Sequence, residues 1–181
     1  MSQTKIIVAT KKDAVHIKQM INQMYGFEYE TRTPDEIAQA IEKCHQVYVL
    51  AKQGDDIIGF AGATTNSTEY QKITTQTQTV IEYIYTIPSC RNFFVAFFLT
   101  QKLIEYLVQL QQTCAIMQVQ TFNKQRFFHY ALCDNNIINS TSCKTQSGKC
   151  YQDQILLIND LKSVIQQTPK QFMKKVQKHK N

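Results

Sequence analysis

The chain reads as a mixed α/β protein, a mostly antiparallel sheet of about seven strands flanked by helices. Three observations predict this. Apolar segments follow one another in the order β-α-α-β-β-β-α-β-α-β-β. Three strands come in succession before a crossover helix, which implies a sheet that is antiparallel at first and covered by helices on its faces. The third of those strands, Gln78–Ile87, runs through a tight turn at Pro88-Ser89 into the longest apolar helix of the chain. At 181 residues the chain can bury a core of its own. We read 1–165 as one domain and 166–181 as a basic C-terminal tail.

The elements follow in order. Lys5–Ala9 is a short apolar strand. Asp13 caps a helix carrying Val15, Ile17, Met20, Ile21 and Met24 at helical spacing and ending at Gly26. Phe27–Arg32 connects to Thr33-Pro34-Asp35-Glu36, a capping Thr with Pro in the first turn and acids near the positive helix end; this helix runs to about His45. Val47–Ala51 and Asp56–Ala63 form a hairpin about Gln53-Gly54-Asp55. Asn66–Gln76 is a polar loop. After the strand Gln78–Ile87, a helix spans Phe93 to about Gln112. Cys114–Thr121 is a strand and Lys124–Asp134 a helix. Ile137–Ser142 and Tyr151–Ile158 form a second hairpin across Gln146–Lys149, and Leu161–Gln167 is a short helix before the tail.

Composition narrows the function classes. The net charge of +6 favours an anionic partner, but Lys170, Lys174, Lys175, Lys178 and Lys180 carry most of it in the tail, which reads as a solvated basic terminus. Phe172 alone does not give the interleaved aromatics of a nucleic-acid surface, so nucleic acid is disfavoured as a partner. The richest apolar run, Phe93–Leu99, is broken by Thr100-Gln101-Lys102 and cannot span a bilayer. Ile6–Ala9 is too short for a secretory signal, and six scattered cysteines read as reduced thiols; both place the chain inside the cell, in the cytoplasm. His129 and Cys133 stand four apart on a helix, with Cys143 and Cys150 beyond, but no Cys-x-x-Cys pair accompanies them, and no metal is expected. There is no phosphate-binding glycine loop of the Walker type and no legible Ser-His-Asp arrangement.

The chemistry concentrates in Glu82–Ala96. A strand turning sharply into a helix presents unpaired N–H groups at the positive end of the helix dipole, an anion site suited to a diphosphate. Arg91 stands at its mouth, and Glu82 on the strand before it is either a base or a strand-end charge. Glu28, Tyr29 and Glu30 lie in the loop between the first two helices; two carboxylates beside an aromatic suit a cationic amine, or simply form a solvated loop.

This arrangement resembles the GNAT superfamily of acyl-CoA-dependent N-acyltransferases, over roughly residues 5–160. The family signature of Arg or Gln, two residues, Gly, one residue, Gly or Ala falls on Arg91, Phe94 and Ala96. Thr86, Pro88 and Cys90 stand at the valine, proline and aromatic positions of the family's "valine, any, proline, any, aromatic, arginine" stretch. Asn123 followed seven residues later by Tyr130 matches a second signature, and Glu82, nine places before Arg91, matches a glutamate proposed as the base in spermidine/spermine N-acetyltransferases. The resemblance implies acetyl-CoA as co-substrate in a wedge between strands four and five. It implies Thr86, Arg91, Asn92, the backbone of Phe93, Phe94, Val95 and Ala96, and Asn123 as the cofactor-binding set. Glu82 would take a proton from an amine substrate, Tyr130 would return one to the departing sulfur, and Glu28, Tyr29 and Glu30 would shape the acceptor pocket. The amine is a small polyamine-like molecule or a protein amine. Phe94 stands where the family has glycine, and its side chain must turn away from the phosphates. An alternative is therefore a catalytically inactive subunit of this fold, in a homodimer or a larger protein assembly.

Overall fold

The computed structural model describes residues 3–74, 79–120, 126–144 and 150–180. Seven strands form one sheet: β1 (Thr4–Val8), β2 (Gln46–Gln53), β3 (Asp56–Thr64), β4 (Val80–Thr86), β5 (Ala115–Gln120), β6 (Ile137–Lys144) and β7 (Cys150–Ile158). Their order across the sheet is β1-β2-β3-β4-β5-β7-β6. The first four are antiparallel neighbours, and β5, β7 and β6 form a second antiparallel set. Between the two sets β4 and β5 run parallel, and among the described residues their ladder holds the single pair Val80 and Ile116, beside an Ile116 N–H donating to Thr79 O at 2.9 Å. Beyond Val80 the two strands diverge, so the sheet opens into the expected wedge.

Among the described residues six α-helices cover the sheet: α1 (Ala14–Tyr25), α2 (Pro34–Glu42), α3 (Phe93–Gln109), α4 (Arg126–Leu132), α5 (Leu161–Ile165) and α6 (Pro169–Lys178). The 3.6-residue period dictates which face each one buries. In α1 Ile17, Met20 and Ile21 pack with Tyr48, Leu50 and Phe60 under one face of the sheet. In α3 Val95, Leu99, Leu103 and Leu107 join Val49, Ala61 and Met117 under the other. The helix starts are encoded locally. The Thr33 hydroxyl accepts from Glu36 N–H at 3.3 Å while Glu36 Oε2 accepts from Thr33 N–H at 2.7 Å, a reciprocal capping box with Pro34 in the first turn. Gly26 ends α1 at φ 78°, a left-handed conformation open to glycine, with its N–H on Asn22 O.

Some boundaries differ from expectation. Asp13 stands at the head of α1 without capping it; its carboxylate accepts from Thr10 N–H and Oγ1–H at 2.9 and 3.1 Å and closes the preceding turn. The helix expected to reach His45 ends at Glu42, and Cys44 has φ 54°. α3 stops at Gln109 because Gln111 is left-handed at φ 63°. Gln78, Lys124 and the turn Gln146–Lys149 lie outside the described residues. The largest difference is in the basic tail. Thr168 and Gln171 form a second capping box, Pro169 occupies the first turn, and α6 docks with Phe172 fully buried and Val176 nearly so. Of the lysines that suggested a solvated terminus, Lys170, Lys174 and Lys178 are exposed on this helix and Lys175 pairs with Asp134, while Phe172 and Val176, four apart, occupy its inner face.

The approach of β3 to β4 fixes a further position. A Cβ on Gly59 would lie 2.7 Å from Tyr85 O and 2.9 Å from Thr86 Cγ2, both on β4. Gly59→Ala is expected to cost about 1–3 kcal/mol of stability in urea denaturation through overpacking. A loss below about 0.5 kcal/mol, the range of neutral surface changes, would show that β4 yields.

Candidate active site

The start of α3 presents fewer free donors than the sequence suggests. Asn92 is its N-cap, and its Oδ1 accepts from Val95 N–H at 2.9 Å. Ala96 N–H reaches Asn92 O at 3.5 Å. The amides of Val95 and Ala96 are thus engaged within the helix start, which leaves those of Phe93 and Phe94 as its orphan donors. Arg91 Nε donates to Thr86 O at 3.3 Å, tying the guanidinium to the end of β4. Phe94 is 50% exposed and turned to solvent. The Phe93 ring turns sideways, stacked on Phe97 at 6.1 Å and edge-on to Phe128 at 6.2 Å. The steric objection to an aromatic pair at this turn is therefore not met in the fold.

Two adjoining hollows meet here. One, of about 310 Å³, has Thr86, Arg91, Phe93, Phe128 and Lys180 in its wall, and no carboxylate among the described lining residues. The other, of about 570 Å³, is the wedge, walled by β4 from Ile81 to Tyr85 and by β5 from Met117 to Gln120. They share Ile84, Tyr85, Arg91 and His129. Ile87 N–H donates to Ile58 O of the loop-side end of β3 at 3.0 Å. Antiparallel alternation then turns the amides of Ile84 and Thr86 to the opposite edge of β4, facing the gap that β5 leaves.

Glu82 reaches the wedge through a register shift. Gly62 faces Tyr83 and Ala63 faces Ile81, so Glu82 is the extra residue of a bulge. Its neighbours Ile81 and Ile84 pack toward α3, and Tyr83 and Tyr85 toward α1. Thr64 Oγ1 donates to Glu82 Oε1 at 2.8 Å. Glu82 is exposed and lines the wall of the wedge. Desolvation by the cleft walls raises its pKa above the ordinary carboxylate value, while the Thr64 hydrogen bond and the Arg32 charge partly offset this.

The loop after α1 divides the expected acceptor residues. Glu30 is buried and its carboxylate is bound by the Arg32 guanidinium and backbone, with Nε on Oε1 at 2.8 Å; these contacts hold its pKa low. It serves the fold and is not free for an amine. Glu28 is exposed and in the wall of neither hollow. Tyr29 does reach the site: it stacks on Tyr25 at 3.8 Å, and with Glu69, Tyr70, Tyr83 and Glu82 the pair walls a recess of about 200 Å³. Glu69 and Tyr70, in a loop read only as polar, carried no local signal. Burial and the neighbouring Tyr29 push the Tyr25 hydroxyl up to about 12.

Tyr130, expected at the site, stands outside the two hollows, and its neighbour His129 lines both. The Tyr130 hydroxyl donates to Gln154 Oε1 at 2.6 Å and Tyr130 is in the wall of neither hollow. His129 lies in the wall of both; its Nδ1 is buried with no partner among the described residues, and burial pushes its pKa down to about 4. Asn123 lies outside the described residues. Among those described, no three His, Cys, Asp or Glu side chains are grouped to hold a metal, and no helix is long and apolar enough to cross a membrane.

Comparison with known proteins agrees with this architecture. The sequence model of the acetyltransferase (GNAT) family matches residues 14–131. No curated protein sequence matches the chain. Among solved structures, an N-acetyltransferase from Staphylococcus aureus Mu50 superposes with a TM-score of 0.64 at 18% identity, covering 88% of this chain and 99% of that one. A GNAT-family acetyltransferase from Streptococcus pneumoniae gives 0.64 at 16% identity, over 86% and 98%. Arabidopsis thaliana NAA60 in complex with acetyl-CoA gives 0.61 at 12% identity, over 86% and 97%. At these identities the likeness is one of fold.

Proposed function

The chain belongs to the acetyltransferase (GNAT) family, and from that premise we propose that it transfers an acetyl group from acetyl-CoA to the nitrogen of a cationic primary amine. The observation that carries this reading is the opening of the sheet between β4 and β5, with the Glu82 carboxylate in the wall of the wedge and a carboxylate-free cationic hollow adjoining it. The residues present fit the co-substrate. Arg91 and the amides of Phe93 and Phe94 suit a pyrophosphate, and Phe94 leaves room by facing outward. Acetyl-CoA, when bound, supplies an activated thioester carbonyl.

The chain's own groups then divide the work. Alkylamines are almost wholly protonated at pH 7 and must lose a proton before they can attack. Glu82 accepts that proton, and its elevated pKa brings it nearer the working pH. The outward-facing amides of Ile84 and Thr86 suit the charge that develops on a carbonyl oxygen. His129, neutral at pH 7, lies at the junction of the two hollows with its Nδ1 unpartnered among the described residues, where its ring can offer a hydrogen bond to a leaving sulfur. Tyr25, Tyr29 and Tyr83 with Glu69 and Glu82 suit the head of a cation, which supports a small polyamine-like molecule or a lysine-type protein amine as acceptor.

Calorimetry with acetyl-CoA tests the premise, and absence of heat at millimolar ligand would remove it. His129→Phe is expected to lower kcat about 5–10-fold, the ~1 kcal/mol of a hydrogen bond to the departing sulfur, with cofactor affinity nearly unchanged. Tyr130→Phe is expected to leave kcat within about twofold and to cost only the ~1 kcal/mol of its hydrogen bond to Gln154. The reverse pattern would return the role to Tyr130.

A further inference from the structure

The last helix of the chain is an addition to the site that neither the sequence signatures nor the matched region 14–131 contains. It is firmly docked. Phe172 sits among Phe93, Phe97 and Phe128 with ring centroids at 6.0, 5.3 and 4.9 Å, and Lys175 Nζ pairs with Asp134 Oδ1 at 2.6 Å. Two consequences reach the anion site. Phe172 completes the aromatic cluster that draws the Phe93 ring aside from the α3 amides. And the end of the helix brings Val176 and Lys180 into the wall of the hollow that holds Arg91.

That hollow is electrically unbalanced. Arg91 and Lys180 are its formal charges among the described lining residues, and neither forms an ion pair among them. Two unneutralised cations on facing elements, beside orphan helix N–H groups, hold a field that favours a multiply charged anion. Resting on the acetyl-CoA reading above, we propose that α6 is part of the cofactor site and that Lys180 is a phosphate ligand of the CoA moiety, working with Arg91. The exposed lysines Lys170 and Lys174 on the same helix lie outside this hollow and provide internal controls.

The test uses the full chain and titration calorimetry with CoA and with 3′-dephospho-CoA at two salt concentrations. Lys180→Gln is expected to weaken CoA binding about fivefold, within the range of a solvent-accessible charge pair, and to reduce its salt dependence. Lys180→Arg should restore most of the affinity, and Lys170→Gln should leave it unchanged. An equal factor for both ligands assigns Lys180 to the pyrophosphate; a factor confined to CoA assigns it to the 3′-phosphate. Wild-type binding matched by Lys180→Gln, or weakened as much by Lys170→Gln, overturns the proposal. A wild-type protein that binds neither ligand removes the acetyltransferase reading itself and the proposal with it.

Discussion

Glu82→Gln is expected to lower kcat by about 10²–10⁴-fold, the range for loss of a positioned general base, while leaving CoA affinity intact. Wild-type kcat should fall as pH drops through the raised pKa of Glu82, and that limb should vanish in the variant. The same shift makes a stability prediction of fixed sign. A carboxyl whose folded pKa lies above its unfolded value contributes stability that is full below the unfolded pKa, about 4.3, and is lost as pH rises through the folded one. At pH 7 the ionised Glu82 therefore costs the fold, and Glu82→Gln should raise Tm there, with the gain disappearing below about pH 4. A variant that is slower at pH 7 but no more stable would mean that the carboxylate is solvated and that its role is not that of a base tuned by burial.

Phe172→Ala is expected to destabilise the protein by about 3–5 kcal/mol, as for truncation of a buried aromatic. Phe172 is 1% exposed and touches three phenyl rings. A residue in a solvated tail would cost less than about 0.5 kcal/mol, so urea denaturation separates the two descriptions widely. Because Phe172 also holds Phe93 aside, CoA affinity should fall in the variant under conditions where it remains folded. A small destabilisation would show that α6 rests on the domain without sharing its core.

The two substitutions probe features of different legibility. The turn into α3 could be read from residues adjacent in sequence: the strand, Pro88, the cap Asn92 and the apolar run that follows. So could the spacing that singles out Glu82 and Arg91. What spacing could not give was the direction of each side chain. Glu82 faces the wedge because of a shift against Gly62 and Ala63, some twenty residues earlier. Glu30 is lost to the acceptor pocket because Arg32, two residues on, folds back on it with Tyr48 nearby. The rotation of α4 brings His129, not Tyr130, to the hollows, and Gln154 on β7 holds the tyrosine.

The amino-acid sequence by itself determined the order of the strands and of the helices up to α5, the capped start of α2 at Thr33, and the turn from β4 into α3. Periodicity, capping and the helix dipole act within a few residues, so their record is local. Only the tertiary structure decided the aim of Glu82, the pairing of Glu30, the turning of Phe93 and the docking of α6. Each depends on a partner supplied by folding: a register against β3, a guanidinium, or an aromatic cluster drawn from three helices.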